Sequence, residues 1–428
     1  MTKKSRNILK RLECLHPKQI DLSLGRILRL LKKLKNPHLN LPPTIHVAGT
    51  NGKGSTIAFL RSIFEKNKFS VHVYTSPHLI NFNERIRIGS KLINNEYLVS
   101  LLEECEYYNK NNEITFFEIT TAAAYLAFSR NQADILLLET GLGGRFDATN
   151  IINSTFFSLI TPISLDHMGF LGNTINKITK EKVGIFKNNV PAVISPQTTS
   201  AMNVIVKEAK IKNVKLYSYK NEWEVLKTLS KNFILKIFNN KFLIPNPTML
   251  GKHQIYNAAS AATLVKMQMK FYVTDNSINQ GIIETFWPGR MQKLDRGEIS
   301  KFLGKNFEIW LDGGHNVDAS KKIKRILSKW KSNHIILIVG MVNGKDPKSF
   351  LENLIDLANI AFAIPIKSSS YIKPEKIRQI FKNKIKKGNS FDDVLKKIKM
   401  NYKEGKILIC GSLYLAGEIL EKDKYIIN

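Results

Sequence analysis

The sequence predicts an α/β protein of two domains, each built on a mostly parallel sheet with helices on both faces. Short apolar runs typical of buried strands alternate along the chain with segments of helical periodicity, which is the pattern of parallel sheets. Glycine-rich loops follow predicted strands at 49–54 and 141–144. A Pro-Gly pair at 288–289 interrupts the alternation, which then starts again and so indicates a second domain.

Residues 1–287 are predicted to form the larger domain. A basic amphipathic segment over 20–34 has helical spacing, and Pro42-Pro43 ends it. A small β region is expected over 218–244 and a long, alanine-rich helix over 253–269. Between the opening segment and the β region, the periodicity predicts strands over 45–48, 70–74, 133–138 and 156–160, and helices over 96–107, 119–128 and 175–182.

Residues 288–428 are predicted to form a second, smaller α/β domain. The boundary is placed at Thr285–Arg290, where Pro and Gly break the pattern. The basic run over 382–387 is interpreted as solvated surface charge. The alternation predicts strands over 307–311, 334–340 and 406–410, a helix that ends at Trp330, and a last helix at the C-terminus.

The composition indicates a globular chain with a strongly basic surface. The chain has 428 residues, 43% of them hydrophobic, and a formal net charge of +30. Such a charge attracts anionic substrates in general, or else marks a polyanion partner such as nucleic acid. The lysines are scattered through every region and are not interleaved with aromatic residues, so we expect solvated charge and no nucleic-acid partner.

Cysteine usage and hydropathy indicate the compartment. Cys14, Cys105 and Cys410 lie far apart without a C-x-x-C pair, which argues against a disulfide framework or a cysteine-based metal site. Residues 1–15 lack the apolar core of a signal peptide, and the longest apolar run, 335–342, is far below the ~18 residues needed to span a bilayer. We therefore expect a cytoplasmic protein with no membrane partner, and a monomer.

The loop Gly49-Thr50-Asn51-Gly52-Lys53-Gly54-Ser55 leaves a predicted strand and opens a helix. Its glycines let the backbone approach a ligand, and its N–H groups with the helix N-terminus favour an anion, so a phosphate cradle is predicted. Lys53 would reach the outer phosphates. The loop departs from G-x-x-x-x-G-K-[ST], because Val47 replaces the first glycine and Gly54 separates Lys53 from Ser55. A glycine-rich turn without a ligand is the alternative.

Four polar residues, Ser55, Ser76, Glu139 and His167, come just after predicted strands. In open α/β sheets the ligand crevice lies beyond the carboxyl ends of the strands, so these side chains are expected at one edge. Hydroxyl, carboxylate and imidazole groups suit magnesium and phosphate. The residues alone also allow other interpretations. Glu139 is equally consistent with a strand-end carboxylate that pairs with a lysine, and His167 is consistent with a helix-cap or core histidine.

Motifs with a fixed order and spacing run from near residue 20 to the C-terminus. They are residues 46–55, Thr75–Leu79, Phe82–Ile86, Thr115–Glu118, Glu139–Arg145, Asp147–Asn150, Asp166-His167, Glu181-Lys182, His253-Gln254 with Asn257, Pro288–Arg290, Asp312–Asn316 and Cys410–Ser412. With them the chain resembles the folylpolyglutamate synthase/dihydrofolate synthase family of the Mur ligase superfamily. Gly25, Gly314 and Val317 depart from the frequent family form. The resemblance implies a Mur-ligase-like ATP-binding domain with a P-loop, followed by a smaller Rossmann-like C-terminal α/β domain.

The resemblance also implies an activity. The chain would be an ATP-dependent ligase that adds L-glutamate to dihydropteroate, forming dihydrofolate, and to reduced folates, forming polyglutamates, through an acyl phosphate. A carboxylate is a poor acyl donor, whereas an acyl phosphate can leave as phosphate once the reactants are held in line. The alternatives are a folylpolyglutamate synthase only, another Mur-type ligase acting on a cell-wall precursor, and a nucleic-acid-binding ATPase suggested by the charge.

By the same resemblance, individual residues acquire roles. Lys53, His167 and Lys182 would be catalytic, and two Mg²⁺ ions would be held, the first by Ser76 and Glu139 and the second by His167 with a carbamate on Lys182. Without the resemblance, Lys182 is an ordinary helix lysine. The residues expected to bind ATP are Gly49, Thr50, Asn51, Gly52, Lys53, Gly54, Ser55, Asn257, Arg290, Asp312 and His315.

The substrate side of the site is also implied by the resemblance. Thr115-Phe116-Phe117-Glu118 matches the pterin-binding stretch, where an aromatic pair can line a flat heterocycle. By periodicity alone, Phe116 and Phe117 are more often core residues. The substrate-binding residues expected are Thr115, Phe116, Phe117, Glu118, Arg26 and Asp147.

Overall fold

The computed structural model describes residues 2–18, 20–331, 334–368, 370–382 and 384–427. The chain divides into two compact units. The first comprises residues up to Thr248 together with Gln254–Thr285, and the second comprises Met249–His253 with Phe286–Ile427. Each unit contains α-helices and a large sheet, so the predicted α/β class is confirmed.

An eight-stranded sheet lies at the centre of the first unit, in the order β4-β3-β2-β5-β1-β6-β7-β8. The run from β2 to β8 is parallel, and β3 and β4 pair antiparallel at one edge. The sheet is therefore mostly parallel, as its near-continuous apolar strands predict. The strands are β1 (Thr44–Ala48), β2 (Val71–Tyr74), β3 (Ile86–Ile88), β4 (Lys91–Leu92), β5 (Ile135–Glu139), β6 (Phe157–Ile160), β7 (Ala192–Ile194) and β8 (Leu216–Ser218).

Ten α-helices accompany this sheet in the chain. Four 3₁₀ turns, Pro37–Leu39, Phe82–Arg85, Ala148–Ile151 and Val183–Ile185, also belong to the first unit. The helices are α1 (Lys3–Glu13), α2 (Gly25–Lys33), α3 (Lys53–Lys66), α4 (Asn95–Asn109), α5 (Phe116–Arg130), α6 (Met168–Leu171), α7 (Ile175–Lys182), α8 (Thr199–Ile211), α9 (Lys252–Met267) and α10 (Asp275–Glu284).

Two helix starts differ from the sequence prediction for identifiable reasons. The helix expected from residue 20 begins only at Gly25, because the carbonyl and carboxylate of Asp21 accept hydrogen bonds from the Arg26 guanidinium and hold the preceding segment outside the helix. Helix α5 begins three residues earlier than its apolar periodicity suggests. Thr115 and Glu118 form a capping box there, which satisfies N–H groups at the helix start.

The small β region predicted over 218–244 is a three-stranded antiparallel sheet in the order β11-β10-β9. Its central strand alternates between buried and half-buried residues, with Phe233, Leu235 and Ile237 inside. One face of this sheet is therefore apolar, as the period of two requires. The strands are β9 (Trp223–Thr228), β10 (Asn232–Ile237) and β11 (Asn240–Pro245).

The second unit contains a six-stranded sheet in the order β12-β13-β17-β14-β15-β16. The strands from β13 to β16 are parallel, and β12 pairs antiparallel with β13 at one edge. Every residue of β14 is buried, which explains its uniform apolar sequence. The strands are β12 (Gln292–Lys293), β13 (Phe307–Asp312), β14 (Ile335–Val339), β15 (Ile360–Ala363), β16 (Ile385–Lys387) and β17 (Gly405–Cys410).

Among the described residues, six α-helices belong to the second unit, together with a 3₁₀ turn at Ile355–Leu357. The run over 382–387, interpreted as solvated charge, ends in the strand β16. Lys386 and Lys387 are exposed there as expected, but Ile385 is buried and pairs with Ala361; Asn383 lies outside the described residues. The helices are α11 (Glu298–Leu303), α12 (Val317–Leu327), α13 (Pro347–Leu351), α14 (Pro374–Ile380), α15 (Phe391–Asn401) and α16 (Leu413–Lys422).

The hydropathy of the helices bears on membrane association. Among the residues that the structure describes, none of the helices has both the length and the apolar character needed to cross a bilayer.

Helix α3, which follows the glycine-rich loop, packs very closely against α10. A Cβ atom added at Gly281 of α10 would lie 2.6 Å from the Cα atom and 2.7 Å from the N atom of Ile63 in α3. Backbone atoms cannot move aside as a flexible side chain can. Glycine at this crossing therefore sets the distance between the two helices.

Gly281→Ala should destabilise the protein, although alanine is the better helix former. Overpacking at a helix crossing costs on the order of 1–3 kcal/mol, which outweighs a propensity gain of about 1 kcal/mol. The matched control is Gly169→Ala in α6, where an added Cβ meets nothing within 4 Å. Denaturation midpoints should fall for Gly281→Ala and stay level or rise for the control; equal midpoints would refute this account of the crossing.

Candidate active site

Two glycines shape the loop between β1 and α3. Gly49 has φ +153° and Gly52 has φ +95°, both in the region that L side chains rarely adopt. A Cβ atom at Gly49 would lie 1.9 Å from Thr161 Oγ1, and one at Gly52 would lie 2.7 Å from Asn257 Oδ1. Both positions therefore require glycine, because the loop backbone approaches the end of β6 and helix α9 directly.

The first half of the loop is anchored to the segment after β6. The backbone N–H groups of Thr50 and Asn51 donate to the Pro162 carbonyl at 3.0 and 3.2 Å. The Thr50 hydroxyl donates to the Ser164 carbonyl and accepts from the Ser164 N–H, both at 3.1 Å. Gly52, the N-cap of α3, offers no side chain to the helix. The N–H groups of the first turn of α3 are therefore left for a ligand.

Two ammonium groups converge on one carbonyl of this loop. Lys182 Nζ donates to the Gly49 carbonyl at 2.8 Å, and Lys53 Nζ donates to the same oxygen at 3.3 Å. Lys53 Nζ also lies 3.9 Å from Glu139 Oε1, and the Ser76 N–H donates to Glu139 Oε2 at 3.2 Å. The structure therefore brings Lys53, Ser76, Glu139 and Lys182 together at the carboxyl edge of the sheet.

The burial of Lys182 changes its acid–base behaviour. Lys182 is only 4% exposed. Burial, and to a smaller extent the charge of Lys53, lowers the pKa of Lys182 to about 7, although Asp166 and Asp147 oppose the shift. A sizeable fraction of this amine is therefore neutral, and hence nucleophilic, at physiological pH.

His167 lies beside Asp166 at the start of α6. Its backbone is left-handed, with φ 51°, and its side chain is 40% exposed. Its N–H donates to Asp166 Oδ1 at 2.9 Å, and its ring Nε2 lies 4.0 Å from the same oxygen. Asp166 also acts electrostatically on Lys182. Asp166 is therefore a site residue that the sequence prediction quoted in a motif but assigned no role.

Ser55 and Asn257 are joined through a residue to which the prediction gave no role. Gln254 Nε2 donates to the Ser55 hydroxyl at 3.5 Å, and the amide oxygen of Gln254 accepts from Asn257 Nδ2 at 2.9 Å. All three side chains belong to buried residues. Gln254 could have been identified from the sequence, because the His253-Gln254 pair is one of the motifs that carry the family resemblance.

The two segments expected to bind substrate lie against each other. Arg26 Nε donates to Glu118 Oε2 at 3.0 Å, and Arg26 Nη1 donates to Asp21 Oδ2 at 2.8 Å. The N–H and the hydroxyl of Thr115 both donate to Glu118 Oε2 at 2.8 Å. The other carboxylate oxygen, Glu118 Oε1, is buried and has no hydrogen-bond partner among the described residues. This oxygen is an available acceptor.

Phe116 and Phe117 are half-buried and pack in different directions. Phe116 meets Phe82 edge to face at 5.9 Å, and the Arg85 guanidinium also lies 5.9 Å from its ring centre. Phe117 is tilted against Tyr74 at 6.1 Å. A Cβ atom at Gly141 would lie 2.5 Å from Phe117 Cζ, so this ring also touches the second glycine loop. Both rings pack against the core, as their periodicity suggests.

Asp147 is buried within the loop that follows β5. Its carboxylate accepts from the Leu142 N–H at 2.7 Å and from the Thr149 N–H at 3.0 Å, and it also accepts from the Thr149 hydroxyl. Burial raises the pKa of Asp147, and these hydrogen bonds oppose the shift. The contacts give Asp147 a structural role as the cap of the 3₁₀ turn Ala148–Ile151.

Arg290, Asp312 and His315 are grouped within the second unit, at the carboxyl end of β13. Asp312 accepts from the Gly314 N–H at 2.7 Å and from the Met291 N–H at 2.9 Å. Burial raises the pKa of Asp312, and the charge of Arg290 is the strongest opposing influence. His315 Nδ1 lies 3.0 Å from the Gly313 carbonyl, which can only accept, so this nitrogen carries the proton.

Among the described residues, no group of three or more His, Cys, Asp or Glu side chains could hold a metal ion alone. The hydroxyl and carboxylate of Ser76 and Glu139 are nevertheless the hard oxygen donors that Mg²⁺ prefers. Mg²⁺ commonly takes one or two protein oxygens together with substrate phosphates, and this donor set fits that mode.

Comparisons with known proteins agree with this geometry. Residues 47–265 match the family described as Mur ligase middle domain, and residues 294–422 match Dihydrofolate synthetase, C-terminal domain. The dihydrofolate synthase/folylpolyglutamate synthase of Bacillus subtilis (strain 168) is 30% identical over 420 residues, which cover 94% of this chain and 95% of the relative.

Solved structures superpose over nearly the whole chain. A structure of E. coli FolC in complex with DHPP and ADP has a TM-score of 0.87 and 27% identity, and the match covers 97% of each chain. A bifunctional folylpolyglutamate synthase/dihydrofolate synthase with Mn, AMPPNP and L-glutamate bound has a TM-score of 0.86 and 25% identity, covering 98% of each chain. The resemblance seen in the motifs is confirmed, and the chain belongs to the dihydrofolate synthase/folylpolyglutamate synthase family of Mur ligases.

Proposed function

We propose that this chain is an ATP-dependent ligase that adds L-glutamate to dihydropteroate, forming dihydrofolate, and to reduced folates, forming polyglutamates. The observation that carries the proposal is the convergence of Lys53, Lys182, Glu139 and Ser76 on the loop at Gly49. The family membership adds the substrate class. Relatives have been solved with ADP and DHPP, and with AMPPNP, Mn and L-glutamate, which supports the same ligands here.

The reaction has two steps. A carboxylate oxygen of the acceptor attacks the γ-phosphorus of ATP, the bond to the bridging oxygen breaks, and ADP leaves. The neutral amino group of glutamate then attacks the acyl carbon, phosphate leaves with the carbon–oxygen electron pair, and the nitrogen releases a proton to water as the amide bond forms. The protein has to hold anionic reactants in line and to stabilise the charge on the transferring phosphoryl group.

The loop residues Gly49, Thr50, Asn51, Gly52, Lys53, Gly54 and Ser55 form the nucleotide cradle of this proposal. The N–H groups at the start of α3 and the Lys53 ammonium stabilise negative charge on the phosphates, since preorganised donors in a partly buried site cost little reorganisation. Asn257 is assigned to ATP as well, and so are Arg290, Asp312 and His315.

Two magnesium sites are part of the proposal. Ser76 and Glu139 hold the first ion, and His167 with Lys182 holds the second. When bound, Mg²⁺ supplies positive charge that offsets the charge of the phosphates. The chemistry of the donors supports this assignment: Glu139 is a buried carboxylate beside the Lys53 ammonium, and the His167 imidazole is accessible.

A carbamate on Lys182 would give the second ion oxygen ligands. Carbamate formation needs a neutral amine, and the pKa of Lys182, lowered to about 7 mainly by burial, supplies one near neutral pH. The product is an anion, which is favourable next to the Lys53 charge. An unmodified Lys182 would place a second cation there.

The pterin end of the acceptor is assigned to Thr115, Phe116, Phe117, Glu118, Arg26 and Asp147. Asp147 acts there through the loop that it caps, because its carboxylate already accepts hydrogen bonds from Leu142 and Thr149. The buried Glu118 Oε1, which has no hydrogen-bond partner among the described residues, supports the assignment, because a pterin carries N–H groups that can donate to a carboxylate. Arg26 orients this carboxylate through its hydrogen bond to the other oxygen.

The remaining assignments follow the sequence. We take residues 1–287 as the ligase domain and 288–428 as the C-terminal domain. A cytoplasmic location is supported by the three widely spaced cysteines, which are all free. The monomeric state stays a prediction.

A product assay tests the activity. The purified protein should release phosphate from ATP only when L-glutamate and an acceptor are both present, and mass spectrometry should find a glutamylated product with dihydropteroate and with tetrahydrofolate offered separately. A product with tetrahydrofolate alone would restrict the chain to folylpolyglutamate synthesis. Turnover without glutamate, or turnover stimulated by RNA or DNA, would refute ligation.

Lys53→Ala should reduce kcat by on the order of 10²–10³, the effect typical of removing one preorganised charge-stabilising group. The fold should survive, because this side chain makes only the two polar contacts described and is 16% exposed. Lys66→Ala, at the other end of the same helix, is the matched control and should keep its activity. Unchanged turnover in Lys53→Ala, with circular dichroism confirming the fold of both variants, would remove Lys53 from the mechanism.

Carbamylation predicts a signal that does not depend on activity. Protein incubated with ¹³C-bicarbonate near neutral pH should show a carbamate resonance by ¹³C NMR that disappears in Lys182→Gln. The exposed Lys180, two residues earlier, provides the control, and Lys180→Gln should keep the resonance. A spectrum that is the same in both variants would show that Lys182 is not modified.

A further inference from the structure

A second polar cavity lies in the first unit, apart from the glycine-rich loop. Its volume is about 390 Å³, within the range of small-molecule sites. Eight residues line it; two are lysines, three are asparagines and none is acidic. None of the residues assigned to the ligase reaction lines this cavity, so the proposed function leaves it unexplained.

The cavity lies at the opposite edge of the sheet from the loop. Asn153 precedes β6, Lys187 and Asn188 precede β7, and Lys212 precedes β8. These three strands are parallel neighbours, so the segments before them meet at the amino edge. The glycine-rich loop follows β1 at the carboxyl edge. A ligand here would therefore not be a reactant bound at the loop.

The two lysines of the cavity are held in place but not neutralised. Lys187 Nζ donates to the Asn150 carbonyl at 3.1 Å, and Lys212 Nζ donates to the Phe186 carbonyl at 2.7 Å. An ammonium has three donors, so each keeps two for a ligand. In the part of the chain that the structure describes, neither forms an ion pair, although the charge of Glu208, four residues before Lys212, acts on it.

Burial and mutual repulsion disfavour the charged form of these lysines. Burial, and to a smaller extent the charge of Lys212, lowers the pKa of Lys187 to about 8. Burial also lowers the pKa of Lys212; the charge of Glu208 opposes this shift and the charge of Arg145 adds to it. A bound anion would oppose the lowering, because it favours the charged form of the lysines.

The cavity is preformed. The Asn189 N–H donates to the Lys212 carbonyl at 3.0 Å, and the Val190 N–H donates to the Lys187 carbonyl at 3.2 Å. The first bond joins the segments before β7 and β8, and the second closes a turn within the segment before β7. The side chains of Asn153 and Asn188 are exposed at the rim and offer further N–H donors. A ligand would therefore meet ordered donors at little cost in conformational entropy.

We propose that this cavity binds a phosphate group, either as inorganic phosphate or as the end of a small phosphomonoester. A tetrahedral dianion matches two ammonium groups and the amide donors at the rim, and the absence of lining carboxylates removes the main source of repulsion. The site lies outside the ligase centre. It therefore does not depend on whether the chain catalyses glutamate ligation.

Calorimetric titration of the full chain with inorganic phosphate, without nucleotide, tests the site. The wild type should bind, and Lys187→Gln should lose at least about tenfold in affinity, since a charge-assisted hydrogen bond is lost. Asn188→Asp should weaken binding in the same way by placing a negative charge at the rim while leaving both lysines and their buried contacts intact. The Asn188→Asp variant therefore tests the site even if Lys187→Gln does not fold.

Matched controls separate this cavity from other anion sites. Lys207→Gln on α8 and Asn276→Asp on α10 make the same charge changes at exposed positions and should leave binding unchanged. Lys53→Ala should also bind phosphate normally. The proposal fails if the wild type does not bind, if Asn188→Asp binds as well as the wild type, or if Lys53→Ala abolishes binding.

Two further ligands identify the source of the phosphate group. Tighter binding of inorganic phosphate than of glycerol 3-phosphate would assign the site to the free ion, and the reverse order would assign it to an ester. Sulfate that competes equally in the wild type and in Asn188→Asp would show an adventitious ion only and would overturn the proposal.

Discussion

The site depends on the contact between the Gly49 carbonyl and two lysine ammonium groups. Lys53 and Lys182 both donate to this oxygen, and Glu139 lies near Lys53. Two cations so close in a partly buried position are unfavourable unless anions accompany them. The same repulsion contributes to the low pKa of Lys182. The protein thus holds a region of unbalanced positive charge where an anionic phosphate, and a carbamate, would be stabilised.

The order of strands places these groups together. The sheet order β2-β5-β1-β6 makes the strands that end near Ser76, Glu139, Gly49 and Asp166 direct neighbours. Because all four strands are parallel, their carboxyl ends share one edge, and each loop reaches the next. The position of α3 behind the loop is set in turn by its close crossing with α10 at Gly281. The geometry of the phosphate cradle therefore depends on packing well outside it.

The same sheet presents different chemistry at its two edges. At the carboxyl edge, Lys53 lies beside the Glu139 carboxylate, an oxygen donor of the kind that Mg²⁺ prefers. Among the described residues at the amino edge, Lys187 and Lys212 donate to backbone carbonyls and form no ion pair, and no acid lines their cavity. The lysines at the two edges therefore differ in the counter-charges that accompany them.

The sequence by itself determined the features that depend only on residues close together along the chain. Apolar periodicity located the central strands of both large sheets, β1, β2, β5 and β6 in the first and β13, β14 and β17 in the second, whereas shorter strands such as β7 and β15 were not located. The glycines around Lys53 predicted the phosphate loop, because periodicity and backbone freedom are local properties. The position of Glu139 at a strand end was likewise visible. Only the tertiary structure showed that Lys182 donates to Gly49 across 133 residues, that Arg26 holds Glu118 across 92, and that Asp166 and Gln254 join the site. It also showed that part of a charged run is the edge strand β16. Such contacts depend on which distant segments the fold brings together and how deeply it buries them, and neither is encoded in the spacing of residues along the chain.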